Sequence, residues 1–188
     1  MNQERRDRLR DAAIDLLAQS GSRGLTHRAV DAAADVPLGT TKNYFPTRDA
    51  LLRASTERII ELYEAIPRTT PADRPGLTTL LHALLKHAQG PGRMRVLALL
   101  ELQREATRTP WLAASLDAFA AADFAYFEHA QRSAGLPVTQ QRAATVTLAL
   151  HAALPQLVTE GPATLTAAGL DDLDSFVNGL LDTVYGAT

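Results

Sequence analysis

Apolar residues recur at helical spacing along almost the whole of this chain, and this spacing limits its fold more than any other feature. The first stripe follows the i, i+3, i+4, i+7, i+8 pattern of one helix face and consists of Leu9, Ala12, Ala13, Leu16 and Leu17. A comparable stripe fills residues 173–184. No segment of four to eight residues alternates with the β-branched enrichment of a strand. The sequence therefore predicts an all-α protein.

Local start and stop signals divide these stripes into about nine helices. Gly21 is placed to end the first helix as a C-cap, and Thr26 and Thr47 are placed to cap the second and fourth. Pro155 is expected to kink or end the eighth helix, because proline lacks the backbone N–H that a helix interior requires. The run at 96–100 is apolar nearly all round, so the sixth helix is expected to be central.

The composition excludes several classes of protein. The 188 residues include no cysteine, which removes disulfides, thiol nucleophiles and thiolate metal sites. The charged residues 1–11 have no apolar stretch behind them, unlike a secretory signal. The longest aliphatic run, 96–100, is far shorter than the ~20 residues that span a bilayer. We therefore expect a cytoplasmic protein.

Charge is distributed unevenly along the chain. The net charge is −2, but residues 1–58 hold ten Arg and Lys against eight Asp and Glu, whereas the rest holds nine against thirteen. This asymmetry predicts a mildly basic N-terminal module on a neutral or acidic body.

Residues 24–52 (GLTHRAVDAAADVPLGTTKNYFPTRDALL) predict two short helices joined by a tight turn and packed on a preceding helix, which is a helix-turn-helix. A helix that enters a major groove ~12 Å wide must be short and polar on its outer face. That face would consist of Thr40, Thr41, Lys42 and Asn43. Leu38 and Phe45 can anchor the helix inward, and Tyr44 and Arg48 offer hydrogen-bond donors to phosphates at its rim.

A dozen positions of this stretch fit one family pattern at fixed spacing. They are Gly24, Thr26, Val30, Ala33, Val36, Gly39, Thr40, Tyr44, Phe45, Leu51 and Leu52, with Arg48 in place of the usual Lys. In these residues the chain resembles the tetracycline-repressor (TetR/AcrR) family of bacterial transcriptional regulators. The motif covers residues 5–58, and the architecture covers the whole chain. The resemblance implies an N-terminal three-helix DNA-binding domain followed by an α-helical regulatory and dimerisation domain.

Three residues depart from the family pattern. Asp35 stands where the turn usually has Gly, and Pro37 stands where a Ser usually caps the recognition helix, so that helix must begin in another way. Lys42 stands where the family often has Tyr. Each departure is expected to change which operator is recognised.

The resemblance implies a DNA-binding surface, position by position. Phosphate contacts would come from Thr26, Thr40, Tyr44 and Arg48, with Lys42 reaching the backbone by its charge. The groove wall or the bases would be faced by His27, Arg28, Leu38, Thr41 and Asn43, beside Gly39, and Arg28 suits a guanine. Arg5, Arg6, Arg8 and Arg10 would lie on a solvated face of the first helix or at the DNA backbone. Alternatively, Thr26 and Thr47 are only helix caps, and Tyr44 only packs on the first helix.

A homodimer is expected, because one helix-turn-helix makes too few contacts for ordinary operator affinity. In relatives the last two long helices pair with their symmetry mates. The corresponding interface here would be Ala144, Leu148, His151, Ala152, Phe176, Val177, Leu180, Leu181 and Val184. The alternative is that both stripes are only the core of one protomer.

An effector site is expected among the middle helices, as in relatives. Its candidates are His82, Glu101, Arg104, Trp111, Phe124, Tyr126 and His151. Glu101 follows an all-apolar run, which makes it a candidate for a buried carboxylate that needs a partner. The alternative is that each is a satisfied core or surface group, and nothing in the sequence indicates the class of effector.

The sequence thus predicts a helix-turn-helix domain at 1–50, a connecting fourth helix at 47–67, and a ligand-binding and dimerisation domain at 51–188. The predicted function is that of a homodimeric, ligand-responsive repressor that binds double-stranded operator DNA, associates with the nucleoid when bound, and is released by a small-molecule effector. No cofactor, metal or membrane partner is expected.

Two other functions were weighed against the sequence. An enzyme is not expected, because the chain has no HExxH, no Gly-rich phosphate loop and no GxSxG, and because His82 and His87 are not at i, i+4 spacing. A helical interaction or ligand-binding module that has lost operator binding is the alternative. The net negative charge favours it, together with Asp31 and Asp35.

Overall fold

The computed structural model describes residues 2–67 and 69–187, and every regular element within these ranges is a helix. The ten helices are α1 (Gln3–Gly24), α2 (His27–Ala33), α3 (Thr40–Tyr44), α4 (Arg48–Glu64), α5 (Arg74–Gln89), α6 (Arg93–Ala106), α7 (Pro110–Ser133), α8 (Gln140–Thr159), α9 (Pro162–Ala167) and α10 (Leu173–Tyr185). The all-α prediction is confirmed. No helix among the described residues is long and apolar enough to cross a membrane.

The helix boundaries follow local chemistry at the three positions that the sequence singled out. The Oγ1 atoms of Thr26 and Thr47 accept the backbone N–H groups of Ala29 and Ala50, at 3.2 and 3.0 Å. Such caps contribute about 1 kcal/mol each. Gly21 has φ +66°, which would strain a residue with a side chain, and it interrupts the helical backbone. The predicted end of the helix at Gly21 is thus a break inside α1, which continues to Gly24.

The structure refines the helix prediction at two points. Of the two outcomes predicted at Pro155, a kink or an end of the helix, the end does not occur, since α8 contains Pro155 and continues to Thr159. The short α9 brings the number of helices among the described residues to ten, where the sequence predicted about nine. It begins with Pro162 in its first turn, where the missing N–H of proline costs nothing.

The first compact unit is not continuous in sequence, because it combines residues up to Pro67 with Met94–Asp117. Its core is built from α1, α2 and α4, and α6 adds Ala98 and Leu102, both fully buried. Arg10 is 4% exposed and ties α1 to α4, since its Nε donates to the carbonyl of Ala54 at 3.1 Å and its Nη2 to Glu61 at 2.6 Å. The solvated position expected for Arg10 is therefore wrong.

The second compact unit comprises Arg68–Arg93 and Ala118–Thr188. Helices α5, α8 and α10 pack on one another in it, and Phe127 and Ala130 of α7 join their core. The fully buried Gln131 links three helices of this unit: its amide donates to the carbonyls of Phe127 and Ala143, and its Oε1 accepts the hydroxyl of Tyr185 at 2.9 Å. The functional boundary at residue 50 stays a prediction.

Candidate nucleic-acid interface

Helices α2 and α3 form the expected helix-turn-helix, joined by residues 34–39. Two residues of this turn adopt left-handed backbone conformations, Asp35 with φ +51° and Gly39 with φ +88°. Asp is one of the few residues with a side chain that enter this region readily, because its short polar group bonds locally. Asp35 can therefore occupy the position where the family pattern has Gly.

Asp31 of α2 lies beneath the turn and is 1% exposed. Its Oδ2 accepts the N–H of Gly39 at 2.7 Å, and its Oδ1 accepts the N–H and the Oγ1 hydroxyl of Thr41 at 2.7 and 2.5 Å. Burial alone would raise the pKa of the Asp31 carboxyl, but these hydrogen bonds outweigh burial and hold its pKa below the usual value. Asp31 is thus not a surface acid facing DNA.

Two expectations about the tip of the motif are wrong, namely that Thr41 lies on its outer face and that Leu38 anchors α3 inward. Thr41 is fully buried, since its hydroxyl turns toward Asp31, and it does not belong to the outer face. Leu38 is 74% exposed and does not anchor α3 inward; Phe45, 3% exposed, does. The helical pattern could not show this, because α3 has five residues and barely exceeds one turn. The exposed tip is formed by Leu38, Gly39, Lys42 and Asn43, with Thr40 and Tyr44 half-buried beside it.

The flanking candidates combine exposure with local hydrogen bonds. Arg28 and Thr26 are exposed, and Thr26 uses its oxygen as the cap of α2, which leaves its O–H proton able to donate to a phosphate. Arg48 is exposed and donates from Nη2 to the carbonyl of Ser22 at 2.6 Å, one of five N–H donors in its guanidinium. His27 is half-buried, and its Nε2 lies 2.6 Å from the carbonyl oxygen of Phe45.

The arginines of α1 do not form one set. Arg5 and Arg8 are exposed, whereas the half-buried Arg6 places its guanidinium 5.3 Å from the centre of the Phe45 ring. This distance is typical of a cation–π contact. Arg6 is thereby held against the end of α3.

The effector candidates fall into both compact units. In the first, Glu101 is 26% exposed and accepts Arg104 at 3.0 Å, and the Arg104 side chain is 78% exposed. Glu101 is therefore not the buried carboxylate without a partner that the sequence suggested. Trp111 donates from Nε1 to Asp49 at 2.8 Å, and the guanidinium of Arg53 lies 3.9 Å from its ring centre. These contacts involve α4, the helix that follows the recognition helix.

In the second unit the structure brings Phe124 and His151 together, with ring centres 5.3 Å apart. The Nε2 of His151 lies 2.8 Å from Asp123, and the hydroxyl of Tyr126 donates to the carbonyl of Thr69. His82 lines a separate cleft of about 300 Å³. The cleft is lined by His82, Lys86, Gln89, Leu165, Leu170, Asp171, Asp172 and Leu173.

His87 is a further candidate beside the effector residues predicted from the sequence. Its Nε2 is buried and has no hydrogen-bond partner among the described residues, so a bound molecule could supply the partner that a buried polar atom needs. No sequence signal distinguishes it from the other histidines. Within residues 2–67 and 69–187, no group of three or more His, Asp or Glu side chains is arranged to hold a metal ion.

Some of the residues predicted for the dimer interface are exposed and can contact a partner protomer, and others are buried in the core. Val177 and Leu181 are fully buried in the core of the second unit and cannot contact a partner, so their assignment to the interface is wrong. Helical spacing marks a stripe as apolar but does not tell which edge of it the chain itself covers. The residues that retain exposure are Ala144, Leu148, His151, Ala152, Phe176, Leu180 and Val184, and Leu148 is 62% exposed.

Comparison with known proteins decides the family. Residues 72–183 match the family described as tetracyclin repressor-like, C-terminal domain. The chain belongs to the TetR family of transcriptional regulators. A TetR-family member from Streptomyces coelicolor aligns over 98% of this chain and 99% of its own, with a TM-score of 0.69 and 27% identity. EbrR, a multidrug binding protein solved in complex with ethidium, aligns over 97% of this chain and 99% of its own, with a TM-score of 0.65 and 28% identity.

Curated relatives match over shorter stretches. An uncharacterized HTH-type transcriptional regulator of Xanthobacter autotrophicus is 35% identical over 92 residues, which is 46% of this chain and 44% of that protein. The HTH-type transcriptional repressor KstR of Rhodococcus jostii is 35% identical over 72 residues, which is 38% of this chain and 34% of KstR. The match therefore spans less than half the length of either relative.

Proposed function

We propose that this TetR-family regulator is a homodimeric repressor that binds operator DNA and is released from it by a small-molecule effector. The observation that carries the proposal is the exposed tip of Leu38, Gly39, Lys42 and Asn43, held on the helix-turn-helix of a chain that belongs to this family. The name of KstR, a repressor, supports the sign of regulation. The regulator would act in the cytoplasm, at the nucleoid when bound to DNA.

On DNA, the exposed tip enters the major groove. Arg28 can form a bidentate pair with guanine and Asn43 with adenine, since these side chains match the acceptor and donor patterns of those bases. Phosphates are contacted by Thr26, Thr40, Lys42, Tyr44 and Arg48. Thr41 is excluded from the contact surface by its burial.

The dimer forms through the residues of α8 and α10 that remain exposed. Ala144 and Ala152 allow close approach of a second backbone, and Leu148 supplies apolar area that one protomer leaves in water. Leu180 and Val184 extend this surface along α10. Two recognition helices on one dimer then contact half-sites one helical turn, or a multiple, apart.

The effector binds in the second unit, near Phe124 and His151. The buried Nε2 of His87, in the same unit, is a separate candidate for a polar contact. The complex of EbrR with ethidium shows that a protein of this fold takes up a small molecule. An effector that binds one arrangement of the dimer more tightly shifts the population toward that arrangement and so changes operator affinity.

A module without operator binding remains the second candidate. It is favoured by the net charge of −2 and by the exposed acid Asp35 in the turn. Asp31 does not favour this module, because the Asp31 carboxylate is buried and hydrogen-bonded. An enzyme is not proposed, since the named relatives are transcriptional regulators.

The test is fluorescence anisotropy of the protein on labelled DNA from the intergenic region that flanks its own gene, at two salt concentrations. We expect saturable binding that weakens with salt, as release of phosphate counterions requires. The double variant Arg28→Ala/Asn43→Ala should lose it. The matched control is Arg132→Ala, which removes one exposed positive charge from the second unit.

Each outcome of this assay decides between the two candidates. Loss of binding in the double variant, with binding retained in the control, supports the repressor. Equal weakening in both variants means that only net charge matters. If neither the wild type nor the variants bind the flanking DNA or a duplex pool offered for in vitro selection, the repressor proposal fails. The module without operator binding is then the function that the data support.

A further inference from the structure

We propose that Asp31 and His27 of α2 act as positioning residues for operator recognition, by clamping the two ends of the recognition helix α3. This inference rests on the proposed function, since it concerns how α3 is presented to DNA. Neither side chain needs to touch DNA for this role. The clamp is defined as His27, Asp31 and their hydrogen-bond partners.

At the beginning of α3, the Asp31 carboxylate replaces a helix cap. The residue at the N-cap position is Gly39, which has no side chain to accept an N–H, and Pro37 stands where a capping hydroxyl is usual. Asp31 accepts the N–H groups of Gly39 and Thr41 instead, both at 2.7 Å. Helix α2 thus satisfies backbone donors that the sequence of α3 leaves without a cap.

At the end of α3, His27 makes the second attachment. Its Nε2 lies 2.6 Å from the carbonyl oxygen of Phe45, the residue that follows the helix. A carbonyl oxygen can only accept, so Nε2 carries the proton and donates. His27 and Asp31 are four residues apart, which places them on one face of α2.

A helix of five residues needs such attachments more than a long one does. Isolated helices of this length do not hold together in water, because one or two hydrogen bonds do not offset the cost of the first turn. Lys42 and Asn43 follow directly after the buried Thr41, so any shift of α3 displaces the side chains that face the groove. The clamp therefore fixes where these side chains point.

The sign of a charge change separates this role from simple electrostatics. Replacing Asp31 by Asn removes one negative charge close to DNA, and electrostatics alone predicts tighter binding. The clamp predicts weaker binding, because the amide group presents a donor where the carboxylate accepted the N–H of Gly39. Asp35→Asn is the matched control, since Asp35 is an exposed acid of the same turn and Asn tolerates its φ of +51°.

The experiment combines two measurements on the full chain. Amide hydrogen exchange is followed without DNA, and binding is measured by anisotropy on a duplex obtained by in vitro selection with the wild type. We expect Asp31→Asn to accelerate exchange at residues 39–45 but not in α4, and to weaken binding to the selected duplex about tenfold relative to a scrambled one. Asp35→Asn should leave exchange unchanged and bind equally or more tightly.

Further variants guard against a general folding defect. Thr41→Val removes only the hydroxyl and should give a smaller loss in the same two measurements. His27→Ala should weaken specific binding, and His27→Gln, whose side-chain amide can donate to Phe45, should restore most of it.

The clamp is overturned if amide hydrogen exchange at residues 39–45 is the same in Asp31→Asn as in the wild type. It is also overturned if exchange there is faster but Asp31→Asn binds the selected duplex as tightly as the wild type. If the wild type selects no duplex at all, the proposed function fails, and the exchange measurement alone then decides whether the clamp holds α3.

Discussion

Two aspartates of the helix-turn-helix show how little a residue's formal charge says about its role. Asp31 is buried and bonded to two backbone N–H groups and one hydroxyl, whereas Asp35, in the turn, is exposed. The first organises the recognition helix, and the second accommodates a left-handed backbone. A count of acids near the motif treats them alike, and so underestimates its ability to bind DNA.

The lowered pKa of Asp31 predicts a pH dependence of stability. A carboxyl whose pKa is lower in the folded state stabilises that state above its unfolded pKa, near 3.8, and this contribution is lost as the pH falls through the folded pKa. The difference in the free energy of unfolding between wild type and Asp31→Asn should be constant from about pH 7 to 5 and shrink below about pH 4. Urea unfolding at several pH values measures it. A difference that grows toward acid pH would contradict the assignment.

Leu38 offers a prediction about base recognition. It is 74% exposed at the tip of the motif, where a leucine can pack on the methyl group of a thymine. Leu38→Ala should leave the melting temperature unchanged, because little apolar area is buried, but should weaken binding to the selected duplex. Replacing single thymines by uracil removes only the methyl group. Leu38 does not contact a thymine methyl group if no thymine-to-uracil replacement weakens the binding of the wild type more than it weakens the binding of Leu38→Ala.

At the scale of helices, Arg10 is the most buried of the polar residues that join α1 to α4, which also include Asp11 and Arg58. Its guanidinium is buried, but the Asp7 and Glu61 side chains are 27% and 50% exposed, so their charges remain partly hydrated. We expect Arg10→Ala to lower the free energy of unfolding by about 1–3 kcal/mol, mainly through lost packing and the unsatisfied carbonyl of Ala54. Arg8→Ala, at an exposed position of the same helix, should change it by less than about 0.5 kcal/mol. Equal effects in chemical denaturation would mean that the burial of Arg10 contributes nothing.

What the sequence could predict at this scale depends on the range of each interaction. The caps at Thr26 and Thr47 and the break at Gly21 are set by neighbours within three or four residues, and all three follow from local patterns. The partners of Asp31 lie eight and ten residues away, across a turn whose geometry no pattern specifies. The inward turn of Thr41 depends on these contacts, so helical spacing alone predicts the wrong face for it. α9 has six residues, too few for a period to be visible.

For the whole molecule, the exposed part of α8 predicts an oligomeric state. Leu148 is 62% exposed on a helix that otherwise packs into the core of its unit. A charge at this position would be desolvated in the proposed dimer, so Leu148→Glu should shift the protein toward the monomer without unfolding it. Light scattering coupled to size exclusion, over a range of concentrations, measures the change. Leu38→Glu, the same change at a comparably exposed leucine, should leave the molar mass as in the wild type.

The discontinuity of the first compact unit has a consequence for the history of such regulators. Ala98, Leu102 and Leu112 belong to the same core as Leu9 and Leu51, although residues 68–93, which belong to the other unit, separate the two stretches of chain. Recombination at a single crossover near residue 67 would set these side chains from one parent against helices from another. A new operator preference is therefore gained more safely by point substitutions at the exposed tip than by exchange of gene segments. Lineages of this protein should diverge fastest at the exposed Leu38, Lys42 and Asn43, while the paired core positions change together.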